Sequence, residues 1–291
     1  MMNVMNGFTK PQTNLYRTFL HLDGGSVINC LSGLEGGDID EVLTRVASEA
    51  GRDLGGELDA KVVCGKASRK KAERYEEEMR RKRTEHSAAI ALLRKLHDAG
   101  AVGIIHGSYG PAIHADLAEQ MTLEIKAELL IHPLHQVVAA ARELARVGPT
   151  FGFAKTELRE VSQVADMLET MSQGGPGSGR TFLAYATTEG QSEEYRLVLP
   201  IQSRHLLVPL EEFAGRATVV AQVDRILGQG DEVMVMRLLR NAPPLPMERQ
   251  GIADAVPEFV EAMRELGVRV AISDFALTYP TVILRPICIF K

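Results

Sequence analysis

The sequence predicts an α+β protein with a helical N-terminal half, including one long charged helix, and a β-rich C-terminal half. Three observations support this prediction. Apolar residues recur at helical spacing through much of the first half. Residues 66–99 contain neither glycine nor proline, so one helix, or two nearly collinear ones, can run through them. Strand-like patterns concentrate after a glycine-rich run at residues 173–179.

The N-terminal half is expected to combine several helices with a few strands. Leu15–Leu22 is predicted to form a strand, and Ser26 is the candidate N-cap of the helix that follows it. The other predicted elements are a helix at Ile39–Ala50, strands at Ala101–His106 and Met121–Ile131, and helices at Pro133–Arg146 and Thr156–Met171.

The C-terminal half has the alternation and β-branched content of strands. One helix is predicted there, at Val256–Leu266, and Gly267 caps it. The predicted strands are Thr181–Ala186, Tyr195–Ile201, His205–Leu210, Arg216–Leu227, Glu232–Leu239, Val268–Ser273 and Thr281–Phe290.

Composition shifts divide the chain into four predicted segments. The first is a disordered leader at residues 1–14, and the second is a mainly helical domain with few strands at residues 15–172. A Gly-rich linker at residues 173–180 leads to a β-rich α+β domain at residues 181–291.

The composition is typical of a soluble globular protein. The 291 residues are 45% hydrophobic and 24% charged, and the formal net charge is −5. We expect no membrane segment, because no apolar stretch approaches the roughly 20 residues needed to span a bilayer. The three cysteines (Cys30, Cys64 and Cys288) lie far apart, which favours a reducing cytoplasm over a disulfide framework.

A glycine-rich loop at residues 174–181 is a candidate anion-binding site. Its spacing fits that of a phosphate-binding P-loop, except that Arg180 stands where the lysine belongs. A P-loop joins a strand to a helix, whereas this loop is predicted to join a helix to a strand. A flexible linker is therefore the preferred interpretation. The candidate anion-binding residues are Gly177, Gly179, Arg180 and Thr181.

His132 and His135 form the closest histidine pair and are candidate metal ligands. His114 and Asp116 are the nearest further ligands in the sequence. The alternative interpretation is a pair of polar residues at a strand-to-helix turn. The sequence indicates no cofactor.

Catalytic patterns are weak, and the sequence leaves enzymatic activity open while favouring its absence. The G-x-S-x-G nucleophile elbow does not occur. Cys30 lies on a predicted apolar helix face, where cysteine more often fills the core. Residues remote in the sequence could still converge in the folded chain.

The predicted charged helix contains a compact basic cluster, Arg80, Arg81, Lys82 and Arg83. Arginines and lysines in this pattern can contact phosphates. The glutamates at residues 76–78 pair with this cluster at favourable i,i+4 spacing, which stabilises a solvated helix instead. We therefore favour a solvent-exposed or self-associating helix over a nucleic-acid contact.

Both ends of the chain resemble a bacterial family of domains of unknown function. Phe19–Gly37 (FLHLDGGSVINCLSGLEGG) is similar to its Y-L-D, V-N-S, Gln and Gly-Gly opening. Arg285–Lys291 (RPICIFK) is similar to its closing proline, aliphatic residue, Ala-Ile, aromatic residue and basic residue. The departures are His21 for Tyr, Cys30 for Ser, Gly33 for Gln and Cys288 for Ala. The resemblance implies a bacterial cytosolic protein and transfers no catalytic residue.

Two functional hypotheses follow from these patterns. The first is a non-enzymatic interaction or regulatory protein of the bacterial cytoplasm that associates with itself, or with another protein, through the charged helix. The second is a nucleotide- or nucleic-acid-responsive protein that uses the basic cluster at residues 80–83 and the loop at residues 174–181. Neither hypothesis involves a membrane partner.

Overall fold

A computed structural model describes residues 17–35, 85–135, 142–143, 146–152, 180–240, 260–261, 264 and 274–291. The helices that lie entirely within these residues are α1 (Gly24–Glu35), α2 (85–98), α3 (Pro111–Asp116), α4 (Leu210–Phe213) and α5 (Val235–Arg240). Residues 133–135, 142–143, 146–147, 260–261 and 264 are also helical. Two 3₁₀ turns span Gly148–Phe151 and Ser203–His205. The strands are β1 (Phe19–Leu22), β2 (Gly103–Ile105), β3 (Thr122–Ile131), β4 (Thr181–Thr187), β5 (Arg196–Gln202), β6 (Gly215–Ile226), β7 (Glu232–Met234), β8 (Ala276–Thr278) and β9 (Thr281–Phe290).

Five of the strands close into a barrel. Going round the ring, β3 pairs with β4, β4 with β5, β5 with β9, β9 with β6, and β6 with β3 again. All these pairs are antiparallel except β5 with β9, which run parallel. Two short strands extend the sheet, since β1 pairs with β9 and β2 pairs with β3. Strands β7 and β8 form a separate antiparallel pair.

Strand burial follows from what covers each face of the barrel wall. β3 alternates buried and exposed side chains along much of its length, as a strand does when one face is solvated. β9 (TVILRPICIF) is buried at every position except Arg285. Its inward side chains Leu284 and Ile289 belong to the barrel interior, while Ile287 packs outward. β9 is therefore apolar on both faces.

Two outer layers cover the barrel. α1 and α2 pack on β1 and β9 through a cluster that includes Leu31, Leu92 and Cys288. Lys95 on α2 and Glu35 on α1 form an ion pair with an N–O distance of 2.9 Å. The other layer consists of α5 with β7 and β8, and it packs on Leu183, Val198 and Ile283. No helix in the described residues is long and apolar enough to cross a bilayer.

The prediction of a helical N-terminal half is wrong. β3, ten residues long, belongs to the closed barrel, and β1 and β2 extend the same sheet. Helical periodicity at residues 27–34 and 88–96 did identify parts of α1 and α2. These helices, however, cover a sheet whose N-terminal strands pair with partners far away in sequence. The periodicity of one segment does not reveal which distant strand it pairs with.

Two strand predictions in the C-terminal half are also wrong. The strand predicted at His205–Leu210 is a 3₁₀ turn, a short connection and the start of α4. The strand predicted at Glu232–Leu239 ends at Met234, where α5 begins. Both segments are short apolar runs, which fit a buried helix as well as a strand.

The leader at 1–14, the polar segment at 66–84 and the loop at 173–179 lie outside the described residues, as do the helices predicted at Ile39–Ala50 and Thr156–Met171. The proposed division into domains stays a prediction. The described strands on the two sides of residues 173–180 nevertheless pair directly, β3 with β4.

Neighbouring leucines of β3 test which face of the strand lies inside the barrel. Leu129 is fully buried, whereas Leu130 is 46% exposed. We expect Leu129→Ala to lower the free energy of unfolding by about 2–5 kcal/mol, because it opens a cavity in the core. Leu130→Ala is the matched control and should cost less than about 1 kcal/mol. Urea denaturation measures both, and equal losses would contradict the assignment of the faces.

Candidate functional site

A group of polar side chains lies at a gap in the barrel wall. β5 and β9 pair only from Arg196 with Thr281 to Val198 with Ile283. Beyond that point the two strands diverge, and a cavity of about 460 Å³ lies between them. Its lining residues are His21, Asp23, Pro200, Gln202, Arg204, His205, Asp224, Arg225, Val233, Arg237, Leu238, Ile283, Leu284, Arg285 and Pro286. We call it the polar cavity.

Arginines dominate the charge of the polar cavity. Four arginines line it, namely Arg204, Arg225, Arg237 and Arg285, against two aspartates. Arg285 forms an ion pair with Asp224. The lining is therefore cationic by two formal charges when its histidines are neutral. A concave surface of this kind attracts anions, and guanidinium groups match the geometry of phosphate and carboxylate oxygens.

Asp23 connects the polar cavity to helix α1. Its carboxylate caps the helix, since Oδ1 accepts the Ser26 backbone N–H at 3.2 Å and Oδ2 accepts the Ser26 hydroxyl at 2.7 Å. Burial acts to raise the pKa of Asp23, but the two Ser26 hydrogen bonds, together with the attraction of His205 and His21, outweigh it and the pKa is lowered. The N-cap predicted at Ser26 is thus shifted to Asp23, and Ser26 supplies the donors.

His21 is a buried histidine without a complete set of partners. It is 1% exposed, and burial, helped by His205, lowers its pKa to about 3, so the ring is neutral at physiological pH. Within the described residues its Nδ1 atom has no hydrogen-bond partner. The same is true of Oε1 of Gln202. Buried polar atoms are normally paired, so both atoms are candidates to meet a ligand.

The polar cavity offers charged and hydrogen-bonding groups that can bind an anion. Its described lining contains no serine, threonine, cysteine or lysine. His205 Nε2 accepts a hydrogen bond from Arg204 Nε at 3.1 Å. The same Nε2 atom lies 3.8 Å from Asp23 Oδ1, which is too far for a hydrogen bond. These groups can hold an anion, but they do not form a base-activated nucleophile.

Four of the site residues predicted from the sequence lie together elsewhere. His132, His135, Arg180 and Thr181 line a second cavity of about 490 Å³, which we call the apolar cavity. The two predicted motifs, the histidine pair and the end of the glycine-rich loop, thus meet in space. The remaining candidates, Gly177, Gly179 and the cluster Arg80–Arg83, lie outside the described residues.

The arrangement around His132 bears on the metal hypothesis. His132 Nδ1 accepts the Leu134 backbone N–H at 3.2 Å, which leaves only Nε2 for a ligand. Within the described residues no group of three or more histidine, cysteine, aspartate or glutamate side chains is placed to hold a metal ion. Metal binding by His132 and His135 stays a prediction.

Sequence reasoning did not single out most of the polar cavity. Its residues come mainly from β1, β5, β6, β7, β9, α5 and the turn Ser203–His205, and they share no local motif. One signal was available. Arg285 is a single charged residue in an apolar run, followed directly by Pro286. A charge in a strand that is otherwise apolar on both faces indicates an opening in the layers around it.

Substitution of Asp23 tests its role as the helix cap. At neutral pH, Asp23→Ala should lower the free energy of unfolding by about 1 kcal/mol, whereas Asp23→Ser, which retains a capping oxygen, should cost only a few tenths. Because the pKa of Asp23 is lowered in the folded protein, its contribution is present above about pH 4 and is lost as the pH falls below that value. Thermal denaturation between acidic and neutral pH measures both effects. Equal losses for the two variants would exclude capping.

Comparisons with known proteins place the chain in a family. No curated protein and no solved structure matches it. Residues 16–290 match the family described as Domain of unknown function (DUF6414), so the match covers nearly the whole chain. The resemblance to a family of domains of unknown function is thereby confirmed. The chain belongs to the DUF6414 family.

Proposed function

We propose that this protein is a non-enzymatic regulatory protein that binds a small phosphorylated ligand in the polar cavity. The observation that carries the proposal is the convergence of four arginines on a cavity that also holds the unpartnered Nδ1 of the buried His21. Arginines supply charge-assisted hydrogen bonds to phosphate oxygens. A ligand that also reaches His21 would satisfy a buried atom that lacks a partner among the described residues.

The chemistry of the lining narrows the ligand class. Gln202 Oε1 accepts hydrogen bonds, so it needs a donor such as a hydroxyl or amino group. Asp224 and Asp23 add further acceptors close to the arginines. A phosphate ester of a hydroxylated molecule, such as a sugar or a nucleoside, presents both kinds of group. The volume of about 460 Å³ lies within the range of small-molecule sites.

A small ligand is favoured over a nucleic acid. The chain has a formal net charge of −5, which opposes a long polyanion, whereas the excess of arginine is confined to one cavity. The nucleic-acid hypothesis depended on Arg80–Arg83 and the loop at residues 174–181. The residues of the polar cavity support the nucleotide-sized alternative independently of those segments.

Self-association through the charged helix is the second part of the proposal. Residues 66–86 contain nine lysines and arginines and five glutamates, an arrangement suited to a solvated helix or to one that pairs with a partner. The low cysteine content supports a cytoplasmic location. In this proposal the ligand would regulate an assembly, and the chain itself would carry out no reaction.

Arg225 and Arg216 on β6 form a matched pair for testing the ligand site. Arg225 lines the polar cavity, whereas Arg216 is exposed elsewhere on the same strand. We expect inorganic pyrophosphate to bind the wild-type protein, and Arg225→Gln to weaken binding by about 10- to 100-fold through loss of a charge-assisted hydrogen bond. Arg216→Gln should leave the dissociation constant unchanged within about twofold. Isothermal titration calorimetry at fixed ionic strength measures the three constants.

Two results would refute the ligand proposal. One is the absence of measurable heat with pyrophosphate at low salt. The other is an equal loss of affinity in Arg225→Gln and Arg216→Gln, because it would indicate attraction to the general surface charge.

Charge reversal of Arg80, Arg81, Lys82 and Arg83 to glutamate tests the assembly part of the proposal. We expect the wild-type protein to give a multiple of 31.8 kDa in native mass spectrometry. The variant should dissociate toward the single-chain mass, because like charges would replace the i,i+4 pairs along the helix. Its urea midpoint should stay unchanged, since these changes affect polar positions. An assembly that survives the substitution would rule out this segment as the interface.

A further inference from the structure

A further cavity lies where β5 and β9 begin to pair, at the opposite end of that pair from the polar cavity. Its volume is about 410 Å³, and two segments line it, Glu194–Arg196 and Thr278–Thr281. Because Arg196 pairs with Thr281 in the barrel wall, the two segments are fixed against each other. We call it the tyrosine cavity, since each segment supplies one tyrosine.

Tyr195 and Tyr279 are held in place by a buried histidine on α3. Both rings pack edge-on against His114, with centroid distances of 5.5 and 5.6 Å. His114 Nδ1 lies 2.7 Å from the hydroxyl of the fully buried Tyr109, so the histidine is itself fixed. Burial lowers the pKa of His114, so its ring is neutral near pH 7 and adds no positive charge. Rings that are fixed before a ligand arrives lose little entropy when it binds.

The negative charge of Glu194 acts on the tyrosine hydroxyls. Desolvation raises the pKa of Tyr195, and the Tyr279 hydroxyl and the Glu194 carboxylate raise it further. Glu194 forms no ion pair within the described residues. The cavity therefore places a carboxylate beside two aromatic rings.

Arg196 also lines the tyrosine cavity, but its charge acts elsewhere. Burial raises the pKa of Tyr185 to about 12, and Arg196 acts against this rise. Tyr185 lies on β4 and does not line the cavity. The pKa of Tyr195, by contrast, is not lowered by Arg196, although the two residues are adjacent in the sequence. The Arg196 charge is therefore directed toward Tyr185, and that of Glu194 dominates beside the Tyr195 hydroxyl.

We propose that the tyrosine cavity is a second ligand site, which binds a guanidinium group. The N–H groups of the ligand donate to the Glu194 carboxylate, and its plane lies against the rings of Tyr195 and Tyr279. A small guanidine compound and an arginine side chain of a peptide offer the same chemistry. The proposal uses no residue of the polar cavity and does not depend on the phosphorylated ligand.

The combination of a carboxylate with aromatic rings selects this ligand class over others. An anion would be repelled by Glu194, and a neutral ligand would leave its charge without a counter-charge. A primary ammonium is compact and strongly hydrated, so it gains little in an open cavity. A guanidinium is planar and weakly hydrated, stacks on aromatic rings and donates two parallel N–H groups to one carboxylate.

Ligand-observed NMR titrations of the full-length chain with matched probes test the ligand class. The probes are N-acetyl-arginine methylamide, the corresponding lysine compound, and the corresponding citrulline compound, in which an uncharged urea replaces the guanidinium. The arginine probe should bind roughly three- to tenfold more tightly than the citrulline probe, the gain expected from charge-assisted and aromatic contacts at an exposed site. It should also bind more tightly than the lysine probe.

Methylguanidinium distinguishes the two sources of the group. An affinity equal to that of the arginine probe would assign the site to a small guanidine compound. A clearly weaker affinity would assign it to an arginine side chain, because the blocked backbone then contributes to binding. Both results support a guanidinium site.

Two adjacent glutamates locate the binding site. Glu194 lines the tyrosine cavity, whereas Glu193 is exposed and lies outside its lining. Glu194→Gln should remove the preference for the arginine probe over the citrulline probe, because the amide carries no charge. Glu193→Gln, the matched control, should change the affinity for the arginine probe by less than about twofold at physiological salt. Pyrophosphate binding in the polar cavity should be the same in both variants.

Tyr279 tests the contribution of an aromatic ring. It is 41% exposed, so its substitution leaves the core intact. Tyr279→Leu should weaken binding of the arginine probe by about threefold or more, whereas Tyr279→Phe, which retains the ring, should weaken it by less than about twofold. Circular dichroism spectra and urea midpoints like those of the wild type would show that the variants fold.

Three results would overturn the proposal. The first is wild-type binding of the arginine probe that is no tighter than that of the citrulline or the lysine probe. The second is a preference for the arginine probe that persists in Glu194→Gln, or that is lost equally in Glu193→Gln. The third is an unchanged affinity in Tyr279→Leu.

Discussion

The rest of the structure depends on β9, because this strand has hydrogen-bonded partners at both of its edges. β6 follows one edge along nearly the whole strand, while β5 and then β1 occupy the other. Helices α1 and α2 cover one end of its outer face and α5 the other. Because most of both faces and both edges are covered, the sequence of β9 is an almost unbroken apolar run. Arg285 and Pro286 interrupt it between Ile283, the last partner of β5, and Cys288, where β1 takes over.

That change of partner is the physical origin of the polar cavity. Where β5 leaves β9, the hydrogen-bonded wall opens, and proline is tolerated in a strand beside such an opening. Side chains from seven elements meet there, and most of them are polar. The local charge is therefore opposite in sign to the net charge of the chain, since an acidic chain presents a cationic cavity where β5 leaves β9. The apolar cavity differs because α5 lines it with the apolar side chains Val235, Met236 and Leu239.

The pattern of apolar side chains along single strands made parts of the fold predictable. The alternation in Met121–Ile131 indicated β3, and the apolar run Thr281–Phe290 indicated β9, because both patterns reflect the faces that each strand buries. Barrel closure was not predictable, since it depends on pairings between strands far apart in the sequence, β3 with β6 and β5 with β9, which local periodicity does not reveal. The same dependence on pairing between distant strands explains why the composition of the two cavities was not predicted. His132 and Arg180 were chosen from separate local motifs, and only the pairing of β3 with β4 shows that they share a cavity.

The position of β9 in chain order has a consequence for how the protein is made. A ribosome that has released β3, β4, β5 and β6 has supplied four of the five barrel strands, but β9 is still to come. Until it emerges, the facing edges of β5 and β6 lack their partner, and β1 has no strand to join. Closure must wait for translation to reach β9, and the long-range contacts that it forms are of the slow-folding kind. The nascent chain therefore exposes open strand edges, the feature that makes a folding intermediate dependent on protection from aggregation.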